Sequence, residues 1–205
     1  MTPSVARIAH TWRAAVLVVR AMGVAAGLLV LCAVGLVLRA ATLPLPDALR
    51  RQPGGESVRF VDRDGRLLRE VRADDATRAR EVPLAEVSED LVHAVLAAED
   101  RRFYEHPGVD PLAVARAAWS DARHARVVSG ASTLTMQLAR LVKPHRRNFP
   151  GKLDEAALAL RIEASLSKDA ILTQYLNRAP FGAGVRGVDA ASRFWFGKSP
   201  AELSL

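Results

Sequence analysis

EDRRFYEHPGVD, residues 99–110, lies between two segments with helical patterns and sets the fold class. On its N-terminal side, Ser88 can cap a helix whose first turn is acidic, as helix N-termini favour. On its C-terminal side, Asp110 followed by proline is a typical helix start, and the pattern continues to about residue 126. Alanine, leucine and arginine are good helix formers and are abundant throughout the chain. The sequence therefore predicts a mainly α domain around this stretch.

Glu99 is the first candidate for chemistry. It follows Val95 by four positions and Val92 by seven, so it falls on the apolar face of its helix. A carboxylate held there, at the C-terminal end of a helix, can serve as a general base. A helix-terminal glutamate that pairs with Arg101 or Arg102 is the commoner case on physical grounds, and both interpretations remain open from the residues alone.

A third helix is expected after residues 130–133, GAST, and before Pro144, with Ser132 as its cap. Free backbone N–H groups at such an N-terminus, together with two hydroxyl groups, can bind an anion. The segment from Arg116 to Lys152 holds eight arginines or lysines and one acidic residue, a local net charge of +7. A phosphate site and an ordinary capped helix with a solvated basic face both fit this pattern.

Glu155 is the second candidate carboxylate. It lies three residues after Lys152 on a helix predicted from about residue 152 to 166, so the two side chains share one face. The commoner explanation is a surface ion pair. The functional alternative is a carboxylate that orients a phosphate, a metal ion or an acceptor sugar.

The remaining C-terminal pattern continues the helical domain. Ser167 can cap a fifth helix that runs to about Arg178, and a glycine-rich loop precedes a sixth helix at about residues 188–195. Residues 199–202, SPAE, form a capping box with proline at N1, which starts a helix three residues before the sequence stops. We therefore expect a catalytic domain over residues 84–205 that is incomplete at its C-terminus.

Two further regions precede this domain. Residues 21–38 carry no charge and would span roughly 27 Å as a helix, so residues 1–41 are predicted to be a cytoplasmic tail and one transmembrane anchor. A cleaved signal peptide is the alternative. Residues 42–83 are predicted to be a linker and a short β-hairpin, with strands at Val58–Val61 and Leu67–Val71 around an Asp-Gly turn.

Composition limits the possible partners. The net charge of +7 and the pI near 10.4 favour anionic partners: nucleic acid, acidic lipid headgroups or phosphorylated substrates. The single cysteine, Cys32, excludes a disulfide framework or a cysteine-based metal site within this chain.

Five segments follow one another along the chain: EDRRFYEHPGVD at 99–110, GASTLTMQ at 130–137, KLDE at 152–155, KDAILTQYLN at 168–177 and residues 187–198. In this order they resemble the motifs of glycosyltransferase family 51, the peptidoglycan glycosyltransferase domain of class A penicillin-binding proteins, and are most similar to the 1C type. Two positions depart from the usual pattern: Gly151 replaces a basic residue of the third motif, and Met136 replaces the first of a glutamine pair.

The resemblance implies a lysozyme-like catalytic lobe with a small jaw lobe. It also implies an enzyme that polymerises lipid II into glycan strands, with transfer of the growing chain from undecaprenyl diphosphate to the acceptor 4-hydroxyl and with inversion. Glu99 would be the base, and Glu155 would support the second site, with Mg²⁺ or Mn²⁺ as the candidate cofactor and no organic cofactor. The implied substrate-binding residues are Asp100, Arg116, Ser132, Thr133, Gln137, Arg140, Arg147 and Lys152.

The implied partners are lipid II, the growing strand, membrane lipids and other cell-wall synthesis proteins, with no nucleic acid. The implied location is the bacterial inner membrane, crossed once, with the catalytic domain on the periplasmic side. A lysozyme-like hydrolase or lytic transglycosylase, which needs no diphosphate site, is one rival function. An inactive membrane-bound remnant is the other.

Overall fold

The computed structural model describes residues 5–50, 58–64, 66–71, 80–124, 131–146 and 148–204. The chain divides into two compact units, Met1–Thr42 and Leu43–Leu205. The first unit is a single helix, α1, over Val5–Thr42. Its Val19–Thr42 segment has a mean hydropathy of 2.6 and is long and apolar enough to cross a membrane. The predicted apolar N-terminal helix is confirmed.

The second unit begins with the predicted hairpin. Strands β1, Val58–Val61, and β2, Leu67–Val71, pair antiparallel, with Val58 opposite Val71. In the turn, Oδ1 of Asp62 accepts hydrogen bonds from the N–H groups of Asp64 and Arg66 at 2.9 and 2.8 Å. These local bonds place the reversal where the Asp-Gly pair predicted it.

Six further helices make up the rest of this unit as described, and they confirm the mainly α fold class. The described part of the unit also has four single turns of 3₁₀ helix, including Phe103–Glu105 between α2 and α3 and Pro200–Glu202 inside the predicted capping box. The helices are α2 Glu89–Glu99, α3 Pro111–His124, α4 Leu134–Val142, α5 Phe149–Glu163, α6 Lys168–Arg178 and α7 Val188–Phe196.

Local hydrogen bonds from backbone N–H groups to capping side chains explain where most of these helices begin. Ser88, Asp110 and Ser167 accept hydrogen bonds from N–H groups two or three residues ahead, as predicted. Ser132 is not the cap of α4, because Oγ1 of Thr133 accepts from the N–H of Met136. Helix α5 begins three residues earlier than predicted, since Asn148 caps it through the N–H of Gly151.

The core lies where α4, α5 and α6 pack together. Leu134, Leu138, Ile162 and Leu172 are among its fully buried side chains. Each such burial stabilises the fold by about 1.5–3 kcal/mol. Because α4 is held on both sides by this packing, its polar residues are presented at fixed positions.

The 99–110 stretch is packed against α5. Phe103 is fully buried, and Gly108 has a φ of +96°. A Cβ at Gly108 would lie 2.9 Å from Cγ of Glu163 and 3.0 Å from the carbonyl oxygen of Ala159. Glycine is therefore required at this position by both backbone conformation and space.

Candidate active site

A polar cavity of about 310 Å³ opens at the C-terminal end of α2. Its walls come from the end of α2, the start of α3 and residues 131–133, which lead into α4. The sequence-predicted residues that line it are Glu99, Asp100, Arg116, Ser132 and Thr133. Residues from three separate segments of the sequence thus meet in one pocket.

Glu99 is the last residue of α2, and its side chain is exposed rather than set in an apolar face. The predicted apolar face of this helix does not bury Glu99, and none of the described residues of α2 is buried. The alternative of a pair with Arg102 is not found either, since Arg102 pairs with Glu105 at 2.9 Å and with Asp110 at 3.6 Å. Oε2 of Glu99 accepts a hydrogen bond from Nε2 of Gln137 at 2.8 Å.

Gln137 connects Glu99 to a third helix. Its Oε1 lies 3.2 Å from the hydroxyl of Tyr175 on α6, which donates to it. Tyr175 is buried, with 8% of its surface exposed. Burial and, next in size, the negative charge of Glu99 raise the pKa of Tyr175 to about 12. The phenol therefore keeps its proton at neutral pH and remains a hydrogen-bond donor.

Asp100, next to Glu99, is buried, with 9% of its surface exposed. Its Oδ2 accepts a hydrogen bond, 2.9 Å long, from the N–H of Leu134, which is the first residue of α4. Its carboxylate also lies 3.0 Å from Nε2 of His106. Because the N–H of Gly108 donates to Nδ1 of that ring at 3.2 Å, Nε2 carries the proton and donates to Asp100.

These contacts change the anion site predicted at the start of α4. The N–H of Leu134 is satisfied by Asp100 and that of Met136 by Thr133, so neither is free for a phosphate. The hydroxyl of Thr133 also donates to the carbonyl of Gly108 at 2.5 Å. The N-terminus of α4 is thus stabilised by a protein carboxylate and a protein hydroxyl, which occupy two of its first three N–H groups.

Glu155 is buried, with 2% of its surface exposed, so it is not half of a surface pair. Arg140 donates to it from Nε and Nη2, with distances of 2.9 and 2.8 Å to Oε2. Nζ of Lys152 lies 2.6 Å from Oε1, and Nε2 of His145 lies 3.3 Å from Oε2. One buried carboxylate therefore orients two cations and an imidazole. We call Arg140, His145, Lys152 and Glu155 the Glu155 cluster.

The Glu155 cluster reaches the cavity through Ser132. Nζ of Lys152 donates to the Ser132 hydroxyl at 2.5 Å, and Ser132 lines the cavity beside Glu99. The side chains of Arg140 and Lys152 remain 36% and 40% exposed, so both can still meet a ligand. A single glutamate does not neutralise two cations, and the cluster keeps a net positive charge.

Comparison with known proteins shows what kind of domain this is. The family model for transglycosylases matches residues 64–205.

The chain belongs to the transglycosylase family.

The match confirms the resemblance to glycosyltransferase family 51 and the predicted peptidoglycan glycosyltransferase domain. Penicillin-binding protein 1C of Escherichia coli strain K12 is 49% identical over 153 residues, 75% of this chain and 18% of that protein. Penicillin-binding protein 1A of Aquifex aeolicus strain VF5 is 36% identical over 190 residues, 92% of this chain and 26% of that protein. The chain spans about a fifth to a quarter of the length of these curated relatives.

The remaining predicted residues of the transglycosylase domain take different places. Arg116 is exposed on α3 and lines the cavity. Arg147 lies outside the described residues. Gly151, where the family pattern has a basic residue, has no room for a side chain, since a Cβ would lie 2.3 Å from the carbonyl oxygen of Arg146. The loop before α5 therefore fills the space that a basic side chain would need.

The surroundings of Glu155 in the transglycosylase domain are unsuited to binding a metal ion. Both carboxylate oxygens accept hydrogen bonds from cationic groups, and a divalent cation would be repelled by Arg140 and Lys152. Within the described ranges, no group of three or more histidine, cysteine, aspartate or glutamate residues is placed to hold a metal. The residues around Glu155 do not fit a resident Mg²⁺ or Mn²⁺.

Two functional candidates were missed from the sequence: Tyr175 and His145. Tyr175 lies in the KDAILTQYLN segment, but its partner Gln137 is 38 positions away, so no helical spacing links them. His145 follows Pro144 in a loop and meets Glu155 only because the loop folds back against α5. Neither contact has a local sequence signal.

Proposed function

We propose that this chain polymerises lipid II into glycan strands, with Glu99 as the general base. One observation carries the proposal: Gln137 and Arg140, three positions apart on α4, contact Glu99 and Glu155 respectively. Side chains at this spacing are neighbours on one helix face, with Cβ atoms about 5–6 Å apart. A base and a cation cluster are thus placed beside each other.

The base half of the reaction fits Glu99. Its Oε2 accepts from Gln137, and among the described residues Oε1 has no hydrogen-bond partner. Oε1 is the atom that can take the proton from the 4-hydroxyl of the acceptor sugar. The resulting oxygen attacks the anomeric carbon of the growing chain, and the bond from that carbon to the diphosphate breaks. A single displacement of this kind inverts the anomeric configuration.

The leaving-group half fits the Glu155 cluster. The departing undecaprenyl diphosphate carries negative charge, which preorganised cations stabilise. Arg140 and Lys152 supply those cations, with Arg116 and the predicted Arg147 as further candidates. Glu155 holds the first two in place through short, charge-assisted bonds. A divalent cation that accompanies the diphosphate would belong to the substrate rather than to Glu155.

The same arrangement favours a transferase over a hydrolase. A glycan-cleaving enzyme handles a neutral glycosidic bond and has no phosphate that would require the Glu155 cluster. The test is an assay of purified full chain on lipid II and, separately, on finished peptidoglycan. We expect polymer from lipid II and no soluble sugar fragments from peptidoglycan. Fragment release without polymerisation would favour the hydrolase, and inactivity in both assays would favour an inactive remnant.

We further propose that α1 anchors the chain in the bacterial inner membrane, with the transglycosylase domain on the periplasmic side. The apolar Val19–Thr42 segment supports a single crossing. An anchored enzyme stays beside its lipid-linked substrate, which raises the effective concentration. The test is protease accessibility in spheroplasts, in which residues after α1 should be cleaved from outside while the membrane is intact.

A further inference from the structure

Three helices meet through a chain of two hydrogen bonds that ends at Glu99. The Tyr175 hydroxyl on α6 donates to Oε1 of Gln137 on α4 at 3.2 Å. Nε2 of the same amide donates to Oε2 of Glu99, at the end of α2, at 2.8 Å. The phenol is buried at one end of this chain, and the carboxylate is exposed at the other.

We propose that Tyr175 is a positioning residue for Glu99, because its hydroxyl fixes the Gln137 amide with the N–H side toward the carboxylate. The inference rests on the proposed function of Glu99 as the base. Tyr175 does not line the cavity beside Glu99, and it reaches Glu99 through Gln137.

The direction of the two bonds follows from the donors and acceptors available. An ionised carboxylate can only accept, so Gln137 must turn Nε2 toward Glu99. The amide oxygen then faces Tyr175 and needs a donor, which the phenol supplies. With phenylalanine at position 175, that oxygen would have no donor, and rotation of the amide toward water would satisfy it. The carboxylate of Glu99 would then lose the hydrogen bond from the Gln137 side chain, and with it a fixed orientation.

A second observation supports the link between Tyr175 and Glu99, the two ends of this chain of hydrogen bonds. The negative charge of Glu99 contributes, after burial, to the raised pKa of Tyr175. The other charged groups that line the cavity are Asp100, Arg101 and Arg102 beside Glu99, and Asp110 and Arg116 from the α3 side. None of these is placed on α4 or α6, so the contact from those helices is made by Gln137 and Tyr175.

The first experiment measures lipid II polymerisation by the full chain with Tyr175→Phe, which keeps the ring and removes the hydroxyl. We expect kcat to fall roughly three- to tenfold, the effect of one neutral hydrogen bond, with KM within twofold of wild type. Tyr104→Phe is the matched control. Tyr104 is exposed, bonds to Asp169 at 3.1 Å and does not line the cavity, so its loss should leave kcat unchanged.

A double-mutant cycle separates positioning from general packing. If Tyr175 acts through Gln137, then Tyr175→Phe should have no further effect on kcat in a Gln137→Ala background. Full, independent effects in both backgrounds would overturn the proposal, as would a wild-type kcat for Tyr175→Phe. Near-normal activity of Glu99→Gln would instead overturn the proposed function. An inactive Glu99→Gln with a fully active Tyr175→Phe overturns only the role of Tyr175.

A spectroscopic measurement keeps the proposal testable if Tyr175→Phe does not fold. The chain has two tyrosines, so a Tyr104→Phe variant reports Tyr175 alone by tyrosinate absorbance. Adding Glu99→Gln to this variant should lower the pKa of Tyr175, while burial keeps it above the usual value for tyrosine. An unchanged titration would show that Glu99 and Tyr175 do not interact, and the proposal would fail.

Discussion

Arg140 donates two hydrogen bonds to a single oxygen of Glu155, with Nε and Nη2 at 2.9 and 2.8 Å from Oε2. The carboxylate is buried, whereas the guanidinium side chain is 36% exposed. The proposed binding of a diphosphate requires such an asymmetry. The glutamate holds the arginine in place, and the arginine keeps a face accessible to solvent.

Glu155→Gln should therefore affect both folding and activity. It leaves Arg140 and Lys152 without their counter-charge, although both cations are partly solvated. We expect a loss of about 2 kcal/mol in the free energy of unfolding, between a surface pair and a fully buried one. Lipid II turnover should also fall at temperatures where the variant is folded. Urea denaturation and a turnover assay measure the two effects, and a stability change below about 0.5 kcal/mol would contradict the buried-pair interpretation.

Glu99→Gln should separate chemistry from stability. Glu99 is exposed and the change is isosteric, so the melting temperature should stay close to that of wild type. Polymerisation of lipid II should fall by roughly 10²-fold or more, because the acceptor hydroxyl loses its base. Glu86→Gln, which changes an exposed glutamate away from the cavity, is the control for the loss of one negative charge. Similar activity of the two variants would remove Glu99 from the mechanism.

Arg140→Lys should show whether geometry or charge alone matters in the Glu155 cluster. Lysine keeps the positive charge but cannot make the two-nitrogen contact with Glu155. Loss of one charge-assisted contact to the diphosphate should lower lipid II turnover about tenfold to a hundredfold. Lys143→Ala removes a nearby exposed cation outside the Glu155 cluster and should have little effect. Equal turnover in both variants would make the basic segment a solvated surface.

Gly151→Ala should destabilise the start of α5. A Cβ would lie 2.3 Å from the carbonyl oxygen of Arg146 and 2.5 Å from Cδ2 of His145. Relief requires movement of the backbone, and we expect a cost of roughly 1–3 kcal/mol in chemical denaturation. Gly151→Lys, which restores the basic residue of the family pattern, should lower stability as well and should not improve turnover. A stable, more active Gly151→Lys protein would contradict this structure of the loop.

The stability of the fold should fall at high pH because of Tyr175. Its pKa is raised from 10.0 to about 12, so the folded state holds this proton more tightly than the unfolded chain does. The contribution is complete below about pH 10 and is lost as the pH rises toward 12. Chemical denaturation at pH 9, 10 and 11 measures this loss. The decrease should be smaller in Tyr175→Phe, which has no proton to lose there, and an identical pH dependence would argue against the raised pKa.

What the sequence by itself determined is local. Capping depends on a side chain and an N–H two or three residues ahead, so Ser88, Asp110 and Ser167 were predicted correctly. The hairpin and the apolar N-terminal helix depend on similarly short-range patterns. Five motifs in order were enough to predict the family, since each motif is a continuous stretch of sequence.

Only the tertiary structure decided how the site is built. Glu99 and Gln137 are 38 positions apart and Arg140 and Glu155 are 15 apart, so no periodicity connects them. The burial of Glu155 follows from the packing of α4 against α5, and it excludes the surface ion pair that the spacing from Lys152 also allowed. Asp100 accepts a hydrogen bond from the first N–H of α4, 34 positions further along the chain. Burial and long-range hydrogen bonds are properties of the packed helices together, and no single segment encodes them.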